Sequence, residues 1–249
     1  MKIATAAAAL CLLAASTAAA APGLGSKVYD PYVRNGVTEV EVRTAGLTGG
    51  PSSGDTTSVV ELERGVSDTL SLAVLGEFEK HPDEKAKLDS IGVEGVLYLG
   101  RVPALGIDAA VYLEYEQRLH NESGVGEAKL LLAKTAGRFQ ALLNIVADRP
   151  FTDRPGENLT AFGYAASATW QVRPGLRAGV EGFGDLGTDR RLGGAGAHYA
   201  GPTAVWETRP AWMRGGELEL QAGYLFAVGT TRRDADGQVR LNLELERRF

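Results

Sequence analysis

The sequence predicts an all-β fold, an up-and-down antiparallel β-barrel of about twelve strands. Three observations predict it. After residue 35 the apolar residues recur at every second position, the period of a strand with one apolar and one polar face. The connectors between these segments alternate along the chain between long and tight. A meander puts successive turns at opposite ends of its sheet, so the alternation gives one end long loops and the other tight turns. The segments are also about 10–14 residues long, longer than the usual strand of a globular domain and enough to cross a bilayer at a tilt.

Residues 1–20 read as a secretory signal peptide. Lys2 supplies the positive start, residues 3–15 the apolar run, and Ala18, Ala19 and Ala20 the small-residue cleavage site. The single cysteine, Cys11, leaves with this segment, so the mature chain has no disulfide and no multi-cysteine metal site. Loss of Lys2 makes the mature chain one charge more acidic than the −5 of the full sequence, which gives no basic footprint for nucleic acid. Residues 21–35, with Pro22, Gly23, Gly25 and Pro31, predict an irregular lead-in, and residues 36–249 the barrel domain.

The elements follow in order. In the first strand, near 36–45, Glu39, Glu41 and Arg43 alternate with Val40 and Val42. In the second, 56–65, Glu61 and Glu63 alternate with Val60 and Leu62, and in the third, 68–79, Leu70, Leu72 and Val74 oppose Ser71, Glu77 and Glu79. The fourth, 88–101, carries Glu94 on its polar face. In the fifth, 104–117, Val111, Leu113 and Tyr115 oppose Asp108, Tyr112, Glu114 and Glu116. The sixth, 124–135, carries Glu127 and Lys129, and in the seventh, 138–149, Leu143 and Ile145 oppose Arg138, Gln140, Asn144 and Asp148. The eighth and ninth lie near 158–172 and 175–186, the latter with Arg177 and Glu181 on its polar face. In the tenth, 195–207, Gly201-Pro202 predicts a bulge or an early end, because proline cannot donate to the ladder. In the eleventh, 212–228, Leu218, Leu220 and Ala222 oppose Glu217, Glu219 and Gln221. In the twelfth, 237–249, Leu241, Leu243 and Leu245 oppose Arg240, Asn242, Glu244 and Glu246.

Alternation by itself does not separate an apolar core facing inward from an apolar face turned to lipid. Two features place the apolar face in lipid. The polar faces hold many carboxylates while the apolar faces are almost free of charge at mid-strand. Tyr115, Phe162, Trp170, Tyr199, Tyr224 and Phe226 fall on the apolar faces near strand ends, where an interfacial girdle would sit. The expected fold is therefore a transmembrane barrel with short periplasmic turns and longer extracellular loops.

The chain ends Gln-Val-Arg-Leu-Asn-Leu-Glu-Leu-Glu-Arg-Arg-Phe over residues 238–249. Here it resembles bacterial outer-membrane β-barrel proteins of the porin-like kind, in which a terminal Phe on an alternating strand serves as the assembly signal. Phe249 keeps phase with Leu245 and Leu243, whereas Arg247 stands where the family usually has an apolar or aromatic residue. The resemblance covers the mature chain as a pattern and names no subfamily. It implies the cell outer membrane as location, and outer-membrane lipid and the barrel-assembly machinery as partners.

On this phase assignment the lumen is acidic. Glu61, Glu63, Glu77, Glu94, Asp108, Glu114, Glu116, Glu181, Glu217, Glu219 and Glu244 face inward against fewer basic residues, among them Arg138, Arg177 and Arg240. Carboxylates around a narrow pore concentrate cations, which points to a passive channel for small hydrophilic solutes with a mild cation preference. The same charges could instead fill the lumen as an ion-pair network, giving a non-conducting structural or partner-binding barrel. Twelve strands lie between small filled barrels and wide porins, so strand number leaves both readings open. An outer-membrane lipid hydrolase is a third reading. His120 and Ser123 share one loop, but they sit in a polar turn, and no catalytic residue is assigned. His81, His120 and His198 are scattered, so neither a metal nor a cofactor is expected, and the oligomeric state is left open.

These readings give a first test. The protein is expected to fractionate with the outer membrane and to run faster on unboiled than on boiled gels. Deleting Phe249 is expected to lower the assembled fraction more than deleting the loop residue Ser53. Recovery in the soluble periplasm would refute the transmembrane reading.

Overall fold

The computed structural model describes residues 23–120, 123–152, 158–193 and 196–248. The terminal Phe249 and the predicted signal peptide lie outside the described residues. Twelve long strands form one antiparallel sheet. They are β1 (Val37–Thr48), β2 (Thr56–Gly65), β3 (Leu70–Lys80), β4 (Lys87–Val102), β5 (Ile107–Arg118), β6 (Gly124–Ala136), β7 (Phe139–Phe151), β8 (Ala161–Arg173), β9 (Leu176–Thr188), β10 (His198–Thr208), β11 (Glu217–Val228) and β12 (Gly237–Arg248). Each pairs with its neighbours in the chain, and β12 returns to β1 from Val37↔Arg248 to Thr48↔Gly237, closing the barrel. Leu245 and Leu243 of the predicted assembly signal pair there with Val40 and Val42.

Side chains alternate between the two faces as the period predicts. Leu72, Leu113, Leu143 and Leu220 point outward and are 50, 59, 38 and 40% exposed, while Glu41, Glu61, Tyr112 and Asn144 point inward and are almost fully buried. Exposed aromatics mark both rims of the outer apolar band. Phe139, Trp170 and Trp206 lie towards the tight turns, and Tyr115, Phe151 and Phe226 towards the long loops. That is the distribution expected of rings seated at two membrane interfaces.

Three local expectations change. The ladder to β9 keeps its register through Gly201 and Pro202, so no bulge forms there. Towards β11 the pairing passes from Ala200↔Phe226 to Thr203↔Gly223 in unchanged register, so the ladder opens for two residues only. Gly201 is required at this place, since a Cβ would come within 2.1 Å of the Tyr224 carbonyl oxygen. In the same strand Tyr199 packs inward against Ala165, Phe183 and Leu225, while His198 points outward beside Tyr164, its Nδ1 3.4 Å from the Tyr164 hydroxyl. The sequence reading had this phase reversed, with Tyr199 in the outer girdle. Finally, β11 starts at Glu217 rather than near 212. Pro210 cannot extend a ladder, and a 3-10 turn over Ala211–Met213 follows it, ended by left-handed Arg214 and by Gly215 at φ 93°.

An outward-facing leucine at mid-strand is a direct probe of the lipid reading. Leu113→Arg is expected to cost about 2–4 kcal/mol in urea titrations of the liposome-folded protein, because it puts a charge at bilayer depth. Glu116→Arg, on the inner face of the same strand, is expected to cost far less.

Candidate functional site

The lead-in does not lie outside the barrel. Gly23 and Gly25 border a cavity together with Glu77 and Glu116 at the long-loop end, whereas Gly36 donates its N–H to the Gly65 carbonyl at the tight-turn end. The segment between them runs through the lumen. Neighbouring side chains along it reach different walls. Val28 packs on Ala165, Phe183 and Leu225, and Tyr29 joins Val96, Ala110, Tyr112 and Leu131, with Val33 against the same cluster. Gly65 marks the exit, since a Cβ there would meet the Arg34 carbonyl oxygen at 2.1 Å.

Polar contacts hold this segment in place. Asn144 on β7 acts as a strand-like partner. Its Oδ1 accepts from the Tyr29 N–H at 2.7 Å and its Nδ2 donates to the Tyr29 carbonyl at 2.8 Å. Arg43 Nε donates to the Gly25 carbonyl at 2.5 Å, and Arg240 donates to the carbonyls of Leu24 and Ser26. Lys27 pairs with Glu41 and lies 3.9 Å from Glu39, Arg34 pairs with Glu246, and Arg248 donates to the Asn35 carbonyl at 2.9 Å. Tyr29 is also the centre of a cation–aromatic stack. Its ring lies 4.8 Å from that of Tyr112, with the Lys27 ammonium 4.6 Å and the Lys129 ammonium 4.3 Å from its centroid. Ammonium ions over an aromatic face are attracted by its quadrupole, more so when desolvated.

Tyr29 borders two cavities, of about 490 and 230 Å³. The larger, towards the tight turns, is lined by eight carboxylates against Lys27, Arg34 and Arg177. The smaller, towards the long loops, is lined by six carboxylates against Arg43, Arg118 and Lys129. Glu63, Glu217, Glu219, Glu244 and Arg177 lie on the larger, and Glu77, Glu114 and Glu116 on the smaller. Glu61, Glu94 and Glu181 are buried in the wall, with Arg240 Nε 3.7 Å from Glu181 and Gln221 donating to Glu181 at 2.6 Å. Asp108 is buried near the tight-turn end, where the hydroxyls of Tyr98 and Tyr32 donate to it at 2.9 and 3.3 Å. Arg138 is exposed and borders neither cavity, because it is part of the β6–β7 turn with Gly137.

The groups that sequence reasoning missed belong to the lead-in, Lys27, Tyr29 and Arg34; Lys129 and Tyr112 opposite them lie on the inner face where the alternation puts them. The pattern Lys-Val-Tyr-Asp-Pro-Tyr-Val-Arg over 27–34, two cations and two tyrosines in one short extended stretch, was the available signal.

No family model matches the chain, and no curated protein matches it in sequence. Solved structures do match in fold. An outer-membrane channel from Pseudomonas putida F1 aligns with a TM-score of 0.61 at 14% identity, over 90% of this chain and 100% of its own. The NanC porin gives 0.54 at 9% identity over 83 and 98%, and the KdgM porin 0.53 at 9% over 85 and 99%. The closed twelve-stranded barrel is thus the fold of outer-membrane channels and porins.

Asn144→Leu tests the seat of the lead-in. It strips both partners from the Tyr29 peptide groups, and an unpaired buried polar group costs about 1–3 kcal/mol. Amide exchange at residues 27–31 is expected to speed up, measured by hydrogen–deuterium exchange, while the β4–β5 ladder keeps its protection.

Proposed function

We propose that the chain is an outer-membrane channel for small hydrophilic solutes, mildly selective for cations, whose throughput is limited by the lead-in lying across its lumen. The observation that carries this reading is the pair of carboxylate-rich cavities on either side of Tyr29 inside a closed barrel. Low-dielectric walls focus the field of such groups and raise the local concentration of counter-ions. A KdgM porin structure holds disordered oligogalacturonate, an acidic sugar polymer. The carboxylate excess here disfavours polyanions of that kind, so neutral and cationic solutes are the proposed cargo. The signal peptide and the outer-facing apolar band support the outer membrane as the place of action, with its lipid and the assembly machinery as partners.

One observation favours a second reading. Lys27, Arg43, Arg240 and Asn144 hold the lead-in by contacts on several walls of the barrel, which suits a permanently closed structural or partner-binding barrel. Planar-bilayer recording separates the two. The channel reading expects current steps whose reversal potential under a KCl gradient has cation sign, and a larger unit conductance after deletion of residues 23–34. A folded sample silent both with and without that segment would leave the structural barrel. Anion selectivity would keep the pore and refute the role given to the carboxylates.

A further inference from the structure

We infer that Glu61, Glu63 and Glu94 form a binding site for a hard divalent cation of the calcium class, set in the inner wall beneath Tyr29. The three carboxylates bring one oxygen each to within 4.8 Å of one another. They stand on β2 and β4, with β3 between them. In the ladder Ala73 is the cross-strand partner of both Glu63 and Glu94, so a single methyl group occupies the position between the two carboxylates. Ligands carried on paired strands keep their geometry better than ligands on loops.

The second observation is a shortage of partners. Glu61 and Glu94 are 1 and 4% exposed, yet Oε1 of each has no hydrogen-bond partner among the described residues. Their other oxygens are engaged. Arg43 Nη1 donates to Glu61 Oε2 at 2.5 Å, and the Tyr112 hydroxyl donates to Glu94 Oε2 at 2.7 Å. The cations nearby are shared more widely still. Lys27 serves Glu41 and Glu39, and Arg43 serves Glu41 as well as Glu61. Lys27 and Arg43 are thus taken up by Glu39, Glu41 and Glu61, with no ion pair to Glu63 or Glu94 among the described residues, and a buried carboxylate without a counter-charge is costly. A doubly charged ion offsets most of that deficit with one ligand. The donors are all oxygen, which selects a hard ion, and calcium accepts irregular oxygen shells of six to eight where magnesium demands a near-ideal octahedron. Glu63 borders the larger cavity, which gives the ion a route from the tight-turn end.

The tyrosines supply the measurement. The hydroxyls of Tyr112 and Tyr29 lie 2.7 and 3.5 Å from Glu94 Oε2, close enough to sensitise a lanthanide bound there. The full-length protein, folded in detergent, is titrated with terbium(III) under tyrosine excitation and then with calcium. Saturable emission displaced by calcium is expected. Glu94→Gln and Glu61→Gln are each expected to weaken terbium binding by at least about tenfold, the loss that even outer-shell partners of a metal site can cause. Faster migration on unboiled gels confirms that each variant is folded. Glu84→Gln, at an exposed carboxylate of the β3–β4 loop paired with Lys87, is expected to leave the emission unchanged, and Glu244→Gln probes the separate group Glu39, Glu244 and Glu246. Absence of sensitised emission from the folded protein would overturn the site, as would undiminished binding by folded Glu94→Gln. Loss of emission in Glu244→Gln alone would place the ion at the other group and overturn this assignment too.

Discussion

Everything in this molecule depends on the pairing of β12 with β1. A sheet set in hydrocarbon cannot leave backbone N–H and C=O groups unpaired at its edges, because hydrocarbon offers them no partner. The Val37↔Arg248 to Thr48↔Gly237 ladder removes both edges at once. Once the sheet is closed, period-two alternation has one consequence for every strand. The apolar set goes outward, and the charged set goes into a lumen already occupied by a segment of the chain.

That inner set has its own constraint. Carboxylates outnumber cations on both sides of Tyr29, and burial makes each unmatched charge expensive. The lead-in answers part of this. It brings Lys27 to Glu41 and Arg34 to Glu246, and its carbonyls occupy the guanidinium groups of Arg43 and Arg240. The segment is an electrostatic component of the wall as much as an obstruction. It belongs to the same charge account as the glutamates around it.

How much of this could be read from the sequence follows from what alternation encodes. Leu72, Leu113, Leu143 and Leu220 were legible as outward residues because their strands keep strict phase from turn to turn. Tyr199 was not, since Gly201-Pro202 hides the phase of β10, and a tyrosine suits a girdle or a lumen equally well. The start of β11 was obscured because Glu217 follows a 3-10 turn whose Trp212 and Met213 look like strand residues. The lead-in was legible as irregular but not as internal. A segment outside the sheet carries no period that says which surface it will touch, and its partners Asn144, Arg240 and Glu246 lie 115 to 216 residues away. Glu61 and Glu94 were legible as inward carboxylates. The link from Glu63 through Ala73 to Glu94 required the register.

The path of the lead-in also constrains how the barrel can be built. Two sets of its contacts lie at opposite extremes of distance along the chain. Lys27 with Glu41 and Arg43 with Gly25 span 14 and 18 residues, so a hairpin of β1 and β2 can hold the segment from the start. Arg240 with Leu24, Arg248 with Asn35 and Arg34 with Glu246 join it to the last strand. Loop closure over so many residues comes late. The segment is therefore laid against its own hairpin early and enclosed when β12 arrives, so that sealing the sheet and trapping the chain within it are a single step.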